Sequence, residues 1–303
     1  MQLYTIDTGY FKLDGGAMFG VVPKTIWNKL QPADEKNLCT WAMRCLLVED
    51  NNRLILIDTG IGNKQDAKFF SHYYLHGDAT LENSLAKHGF HPNDITDVFL
   101  THLHFDHVGG AVVKKADKLV PAFSNAIYWS NQKHWDHATK PNTREKASFL
   151  AENIMPIKES GQLKFIEYPP LSARNGKDDQ EANTETSEGK PDLQLLHFTD
   201  NFSIRTVYGH TESMMLPEIR YRDRTIVYMA DLLPSVSHLP LPYVMAYDIE
   251  PLKTLDEKQD FLNQAAKEDY VLFFEHDPKF ECCTIHETEK GIREKETFRL
   301  ETL

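Results

Sequence analysis

One short segment, residues 98–110, constrains this chain more than any other. It begins with the apolar run Val98-Phe99-Leu100, which is typical of a buried strand. A strand would place residues 102, 104 and 106 on one face, and a turn after residue 104 would bring residue 107 to join them. Imidazole and carboxylate groups bind zinc and similar divalent cations, so the segment predicts a metal site. The side chains concerned are His102, His104, Asp106 and His107.

The same segment resembles a known family. Thr-His-Leu-His-Phe-Asp-His at residues 101–107 is similar to the HxHxDH signature of the metallo-β-lactamase superfamily. The resemblance implies an α/β fold, a four-layer αββα sandwich whose metal ligands lie on loops at one edge of two sheets. It also implies three further ligands later in the chain: a histidine, an aspartate and a last histidine.

Later strand-like runs do end in such residues. A Gly-His-Thr triplet ends one run at His210, and Asp231 and His276 each end another. An aspartate at a strand end is otherwise a common helix cap or turn residue. Glu275 is left out of the ligand set because a continuing strand would point it to the opposite face. The resemblance implies two groups joined by a bridge: His102, His104 and His210; Asp106, His107 and His276; and Asp231 between them.

Other polar residues of the sequence are expected to lie outside the ligand set. Asp58-Thr59-Gly60 follows an apolar run and looks like the DTG of the same family. We expect Asp58 to fix a ligand histidine through its other ring nitrogen, although a simple cap is the common alternative. His134 and His137 have i, i+3 spacing that could suit a metal, but the central site already has its full set. The remaining histidines of the first half are expected at the surface or in packing: His72, His76, His88 and His91.

The family resemblance implies a metal-dependent hydrolase. Two divalent ions are expected, zinc by ligand type, although manganese, iron or cobalt fit similar shells. A bridging hydroxide would attack the substrate, with Asp106 and Asp231 as the catalytic carboxylates. The chain has no GxSxG motif, so a serine nucleophile is not expected.

The substrate class follows from closer resemblances. Residues 102–107 and 239–248 look like those of quorum-quenching N-acyl-homoserine lactone lactonases, and methyl-parathion-hydrolase-like enzymes are also similar. Opening of a lactone, or cleavage of an ester, in a small and partly apolar substrate is the favoured hypothesis. Organophosphate hydrolysis at the same metals and a non-catalytic metal-binding or sensor protein remain alternatives. Several lactonases carry a tyrosine where this chain has Pro234. The candidate substrate-binding residues are Met18, Phe19, Phe105, His238, Tyr243 and Tyr247.

Charge and composition limit the partners. The chain has 303 residues and a formal charge of −12, whereas nucleic acids and anionic membranes attract Lys/Arg patches. We therefore expect a small-molecule partner, no nucleic acid and no membrane, and a homodimer stays open. The cysteines form no CxxC pair and the N-terminal residues show no signal-peptide pattern, which predicts a cytoplasmic protein. Residues 1–303 are expected to form a single domain, with a mobile, polar surface insertion around residues 172–192.

Apolar periodicity also predicts individual elements. The helix expected over residues 143–155 should end at Pro156, and Ser130 should cap the helix before it. Residues 15–23 are expected to form a packed, glycine-rich loop. The longest predicted helix covers residues 256–269, and the main strands are expected at residues 2–7, 41–48, 53–57, 98–100, 126–129, 163–168, 193–198, 202–208, 225–230 and 270–274.

Overall fold

The structure, a computed structural model, describes residues 1–167 and 195–303. The insertion predicted around residues 172–192 lies outside these ranges. Within them the strands are β1 (Gln2–Asp14), β2 (Leu38–Asp50), β3 (Arg53–Ile57), β4 (Asp97–Phe99), β5 (Val112–Lys115), β6 (Lys118–Pro121), β7 (Ile127–Ser130), β8 (Leu163–Phe165), β9 (Leu196–Thr199), β10 (Phe202–Val207), β11 (Met214–Tyr221), β12 (Arg224–Tyr228), β13 (Val271–Phe273), β14 (Cys282–Thr288) and β15 (Gly291–Phe298). The α-helices are α1 (Gly15–Phe19), α2 (Lys24–Trp27), α3 (Ala67–Phe70), α4 (Leu81–Lys87), α5 (Phe105–Val108), α6 (Gln132–Thr139), α7 (Ala151–Glu159) and α8 (Pro251–Lys267).

The strands form two large sheets and one small one. The first large sheet has the order β1-β2-β3-β4-β7-β8, and the second has the order β15-β14-β13-β12-β11-β10-β9. Strands β5 and β6 form a separate two-stranded sheet. The two halves of the chain therefore each build one large sheet.

The side chains of β2 show how the layers are stacked. Leu46 and Val48 are buried in the core that the first sheet shares with the second sheet and α8. Their neighbours Cys45 and Leu47 point the other way and are buried against α4, α6 and α7. A strand that is apolar on both faces needs cover on both faces, which explains the continuous apolar run. The helices thus lie outside two facing sheets, and the predicted four-layer αββα sandwich is confirmed.

Strand direction brings several loops to the same edge of the sandwich. In the first sheet β3 is parallel to β4, and in the second sheet β12 is parallel to β13. Strand β10 runs in the same direction as β12, because both are antiparallel to β11. Carboxyl ends of parallel strands lie at one edge of a sheet, so the loops that follow these strands can form a common site.

The edges of the two sheets are joined directly beside that site. The backbone N–H of Ala42 donates to the carbonyl of His276 at 3.1 Å, and that of Arg44 donates to Glu275 at 3.0 Å. The buried Arg44 side chain also donates through Nη1 to the carbonyls of Phe274 and Asp277, at 2.9 and 3.0 Å. The loop after β13 is therefore held by β2 of the opposite sheet.

Some element boundaries differ from the sequence predictions. Helix α7 begins only at Ala151, because the Asn142 side chain accepts from the backbone N–H of Arg144 and Glu145 and keeps that stretch out of a helix. The helix also continues through Pro156 to Glu159. Asn131, not Ser130, caps α6 by accepting from the backbone N–H of His134 at 2.9 Å. Residues 15–19 form a short helix instead of a loop, since Asp14 caps it. The hairpin β14–β15 was not predicted.

None of the helices in residues 1–167 and 195–303 combines the length and the apolar character needed to cross a membrane.

Candidate metal centre

The strand that precedes the histidine-rich segment ends earlier than predicted. Strand β4 stops at Phe99, and residues 100–104 form an extended loop before α5 begins at Phe105. His102 and His104 therefore project from the loop, whereas Asp106 and His107 lie in the helix. The structure brings all of them together with His210, Asp231 and His276, which follow β10, β12 and β13.

The first group consists of His102, His104 and His210. Nδ1 of His104 lies 3.1 Å from Nε2 of His102 and 3.2 Å from Nε2 of His210. Oδ2 of Asp231 lies 3.1 Å from Nε2 of His210 and 3.9 Å from Nε2 of His102. Ligand atoms of a tetrahedral zinc site are about 3.3 Å apart, so this arrangement fits one divalent cation.

The second group consists of Asp106, His107 and His276. The Nε2 atoms of His107 and His276 are 3.2 Å apart, and Oδ2 of Asp106 lies 3.8 and 3.9 Å from them. Oδ1 of Asp231 lies 3.1 Å from Nε2 of His276, and its Oδ2 lies 3.5 Å from Nε2 of His107. The Asp231 carboxylate therefore faces both groups, the position that the bridge implied by the family resemblance would need.

A buried atom supports the fit to cations. Oδ1 of Asp231 is buried and accepts no well-aligned hydrogen bond from any described residue. Burying such an oxygen without a partner costs free energy, which a cation would offset. The preceding residue, Ala230, has φ 41°, a left-handed conformation that is strained for a side chain and is typical of functional sites.

Asp58 and Glu275 both approach the outer nitrogen of His107. Nδ1 of His107 lies 3.1 Å from Oδ2 of Asp58 and 2.9 Å from Oε2 of Glu275, and both carboxylates are fully buried. Asp58 also accepts from the backbone and the hydroxyl of Thr101, at 2.8 and 2.6 Å. Nδ1 of His102 in turn lies 3.1 Å from that hydroxyl oxygen. Such partners place the proton on the outer nitrogen and leave the inner nitrogen free to bind a cation.

The position of Glu275 corrects the prediction that it points away from the site. Strand β13 ends at Phe273, so the alternation of faces no longer applies two residues later. A charged residue directly after a buried apolar run such as Val-Leu-Phe-Phe is unusual in a core, and this signal could have identified Glu275 as part of the site.

The other ligand histidines have outer partners that the sequence analysis missed. Nδ1 of His210 lies 2.8 Å from Oδ1 of Asp248, and Nδ1 of His276 donates to the carbonyl of Ala42 at 2.8 Å. Nε2 of His104 lies 3.5 Å from Oε1 of Glu145. Neither Asp248 nor Glu145 follows a strand, so position in the sequence gave no signal for them.

Charge coupling within the centre is strong. Burial acts to lower the pKa of His210, but the Asp231 and Asp248 carboxylates raise this pKa to about 10. Burial would raise the pKa of Asp231, yet the charges of His210, His276 and His107 hold it well below its usual range. Burial and the neighbouring His107 lower the pKa of His102. The centre is thus a buried carboxylate surrounded by imidazoles.

His134 has a structural role beside this centre. Its Nε2 accepts from the backbone N–H of Leu103 at 2.8 Å, and its Nδ1 donates to the carbonyl of Glu212 at 2.6 Å. Burial lowers its pKa to about 3, which keeps the ring neutral. Both ring nitrogens of His134 are thus occupied, and Nε2 of His137 lies 2.6 Å from Glu145. The two histidines therefore do not form a ligand pair. The four histidines expected outside the site are exposed: His72, His76, His88 and His91.

A cavity of about 280 Å³ opens onto both ligand groups. Of the predicted substrate-binding residues, Met18, Phe105 and Tyr247 line it. The other three do not line it. Phe19 stacks on the His238 ring at 4.6 Å, and Tyr243 packs edge-on against Phe19 at 6.2 Å.

His238 is occupied by the fold. Its Nε2 donates to the carbonyl of Met18 at 2.9 Å, and its Nδ1 accepts from the hydroxyl of Ser235 at 2.8 Å. Aromatic packing therefore places Phe19, His238 and Tyr243 behind the cavity wall.

Known proteins share the fold and part of the sequence. The family model of the metallo-beta-lactamase superfamily matches residues 44–276. An N-acyl homoserine lactonase from Bacillus thuringiensis is 29% identical over 119 residues, which cover 36% of this chain and 43% of that protein. A probable metal-dependent hydrolase from Staphylococcus aureus superposes with a TM-score of 0.82 and 25% identity, over 100% of this chain and 98% of the other.

A second solved structure is AidC, a dizinc quorum-quenching lactonase in complex with a product. It has a TM-score of 0.71 and 23% identity, covers 98% of this chain and 95% of its own, and supports the fold. The family model covers more than half of the chain and includes every residue of the two ligand groups. The chain belongs to the metallo-beta-lactamase superfamily.

Proposed function

We propose that this chain is a two-metal hydrolase that opens a lactone or cleaves an ester of a small, partly apolar substrate. The observation that carries the proposal is the convergence of two ligand groups on the two oxygens of one buried carboxylate, Asp231. His102, His104 and His210 would hold one cation, and Asp106, His107 and His276 the other. Zinc suits these ligands best, although manganese, iron or cobalt would fit similar shells.

The roles of the protein residues follow from their positions. When bound, a pair of divalent cations supplies a water of lowered pKa and polarises the carbonyl oxygen of the substrate. Asp231 would orient that water between the two ligand groups, which its Oδ2 and Oδ1 face, as the water gives up a proton. The proton would then pass to the leaving oxygen as the bond between it and the carbonyl carbon breaks. Asp106 lies at the cavity wall, where it would keep the second cation facing the substrate.

The cavity supports a substrate with an apolar part. Met18, Phe105, Leu13 and Met245 line it, and burial of apolar surface contributes roughly 25 cal/mol per Å² to binding. Tyr247 also lines the cavity and makes no hydrogen bond to the described residues, so it would replace the tyrosine missing at Pro234 as donor to the substrate carbonyl. The lactonases among the relatives support the same substrate class.

Metal analysis and substrate turnover test this proposal together. Protein purified without added metal should contain close to two divalent ions per chain. It should hydrolyse a long-chain N-acyl-homoserine lactone or a neutral 4-nitrophenyl ester. The organophosphate alternative predicts faster turnover of paraoxon in the same assay. Metal-loaded protein without turnover on lactone, ester, thioester and phosphotriester panels would instead favour a binding or sensor role.

Replacement of the shared carboxylate gives the sharpest single variant. Asp231→Asn should lower kcat/KM by a factor on the order of 10³ or more, because both groups lose their common ligand. The matched control is His286→Asn, at an exposed position of β14 distant from the ligand groups in the fold, which should leave both turnover and metal content unchanged. Full activity in the Asp231 variant would contradict the proposed centre.

Further expectations about the domain, the location and the oligomeric state accompany this function. The ligand groups draw on loops from both sheets, so the catalytic unit needs both halves of the chain. A single domain over residues 1–303 and a cytoplasmic location are proposed on the grounds given above. Light scattering of the purified protein would decide between a monomer and a homodimer.

A further inference from the structure

Arg144 stands apart among the residues that line the cavity. Among the described residues of the lining it is the only lysine or arginine, and the other polar ones are mainly histidines and carboxylates. It belongs to the segment between α6 and α7, where the side chain of Asn142 accepts from its backbone N–H at 2.8 Å. The segment also brings Glu145 and Ser148 to the same wall.

The guanidinium group of Arg144 is fixed across the cavity. Its Nη2 donates to the carbonyl of Ala246 and to that of Asp248, the latter at 3.2 Å. These bonds hold the side chain in place, so little conformational freedom would be lost when it binds a ligand. Nε and Nη1 donate to no group in residues 1–167 or 195–303, which leaves N–H groups for a ligand.

Its neighbours place Arg144 beside the first ligand group. Asp248, whose carbonyl it contacts, holds Nδ1 of His210 through its side chain, and Glu145 lies 3.5 Å from His104. A group bound to Arg144 would therefore lie in the same cavity as the reacting carbonyl, on the side of the first ligand group.

The charge of Arg144 has no counterpart in the part of the protein that the structure describes. The carboxylates of the cavity already face other groups: Asp106 and Asp231 face the ligand histidines, and Glu145 faces His104 and His137. Within the two described ranges Arg144 forms no ion pair of its own. The apolar side chains of the lining are Leu13, Met18, Phe105 and Met245, with Ala246. The described lining thus offers both apolar surface for a hydrocarbon chain and one uncompensated cation.

We infer that Arg144 binds a carboxylate of the substrate, at the end remote from the bond that is hydrolysed. This inference rests on the proposed function and narrows its substrate to acid-bearing esters or lactones, such as monoesters of aliphatic dicarboxylic acids. Hydrolysis of such a monoester consumes one water and gives the dicarboxylic acid and the alcohol. A charge-assisted hydrogen bond from arginine to carboxylate raises affinity by roughly 10- to 100-fold.

Matched ester pairs test this role. The mono-4-nitrophenyl esters of glutaric, adipic and suberic acid have the same chain lengths as 4-nitrophenyl pentanoate, hexanoate and octanoate. They differ only in a carboxylate in place of the terminal methyl group. For at least one chain length, the wild-type protein should prefer the acid ester by tenfold or more in kcat/KM. Arg144→Gln should remove that preference and change turnover of the neutral ester by less than about threefold.

Two variants serve as controls. Arg144→Lys keeps the charge and should retain part of the preference, whereas Arg299→Gln removes an exposed positive charge distant from the cavity and should change neither substrate. An equal loss of kcat/KM on both esters in Arg144→Gln would show that Arg144 only holds the segment of Ala246 and Asp248 in place, and would overturn the inference. So would an acid-ester preference that survives in Arg144→Gln, or no preference in the wild type at any length.

Binding separates this inference from the proposed function. Calorimetry with adipate and hexanoate, which differ by one carboxylate, should give tighter binding of adipate to the metal-loaded wild type and equal binding to Arg144→Gln. If neither ester is hydrolysed, the proposed function fails, and this binding difference still decides the role of Arg144. Equal binding of the two acids to the wild type would refute it.

Discussion

The two ligand groups have the same number of buried outer carboxylates but distribute them differently. In the first group Glu145 faces His104 and Asp248 faces His210, so each carboxylate faces one ligand imidazole. In the second group both carboxylates, Asp58 and Glu275, face the single imidazole of His107. The supports also come from different places: those of the first group belong to segments that form the cavity wall, and those of the second follow core strands β3 and β13.

The two groups should therefore differ in what a change at their outer carboxylates affects besides metal binding. Because the supports of the first group are continuous with the cavity wall, changes there should alter substrate binding together with metal binding. Loss of Asp58, which supports the second group, should alter metal binding together with folding stability, since it is completely buried and accepts hydrogen bonds from Thr101.

The largest expected effect concerns the second group, where its two carboxylates should behave differently. Asp58→Ala should lower the free energy of unfolding by about 3–5 kcal/mol, because Thr101 and His107 both lose a buried partner. Glu275→Gln should change stability by less than about 1 kcal/mol, since it keeps the volume and removes a buried charge. It should still weaken binding of the second cation roughly tenfold. Urea unfolding and metal titration measure the two effects, and equal stability losses in both variants would contradict this view of His107.

The next prediction concerns two buried, positively charged side chains, Lys258 and Arg44, which each hold a loop in place. Nζ of Lys258 donates to the carbonyls of Pro240 and Tyr243 at 2.9 and 3.0 Å, on the loop that leads to the cavity wall. Arg44 holds the loop of His276 in a similar way, but through a guanidinium group, a type of side chain that is not deprotonated in proteins. Burial lowers the pKa of Lys258 to about 7, so only the anchor on the cavity side can lose its proton near neutral pH.

This difference predicts a stability change with pH. Between about pH 7 and the ordinary lysine pKa, the unfolded chain binds a proton at Lys258 that the folded chain does not, so stability rises with pH across this interval. From pH 7 to 9 the gain over a Lys258→Met variant should be about 2–3 kcal/mol, at about 1.4 kcal/mol per pH unit. Denaturant unfolding of both proteins at the two pH values measures it. A constant difference between them would show that Lys258 titrates as an ordinary lysine.

The smallest expected effect lies in the first group. Asp248→Asn removes the charge that faces Nδ1 of His210 and should weaken binding of the first cation about tenfold. Because the same residue adjoins the cavity wall, KM for the ester should rise by a similar factor while the free energy of unfolding changes by less than about 1 kcal/mol. Metal titration, steady-state kinetics and urea unfolding on one preparation test this pattern. A loss of stability without a change in KM would reverse the proposed division between the groups.

The sequence predicted the parts of the centre that depend on strand ends. His210, Asp231 and His276 each follow an apolar run, and parallel strand directions then bring those ends to one edge. The family resemblance supplied their order and the sandwich. Asp248 and Glu145 could not be predicted in this way, because their positions depend on how irregular segments pack after the sheets have formed.

The failures have local causes as well. Alternation of faces misplaced Glu275 because β13 ends two residues before it. The family resemblance suggested that Phe19 and Tyr243 contact substrate, but it does not distinguish a ring that lines a cavity from one packed behind it. Pro156 predicts a helix end, but α7 includes it and begins only at Ala151.

The backbone bonds between β2 and the loop of His276 have a consequence for the order of assembly. Ala42 and Arg44 are paired with His276 and Glu275, residues more than two hundred positions away. Contacts of such long sequence separation form late in folding. Neither half of the polypeptide therefore contains a complete cation-binding pocket while it is being synthesised, and loading of the ions should follow docking of the two sheets rather than guide it.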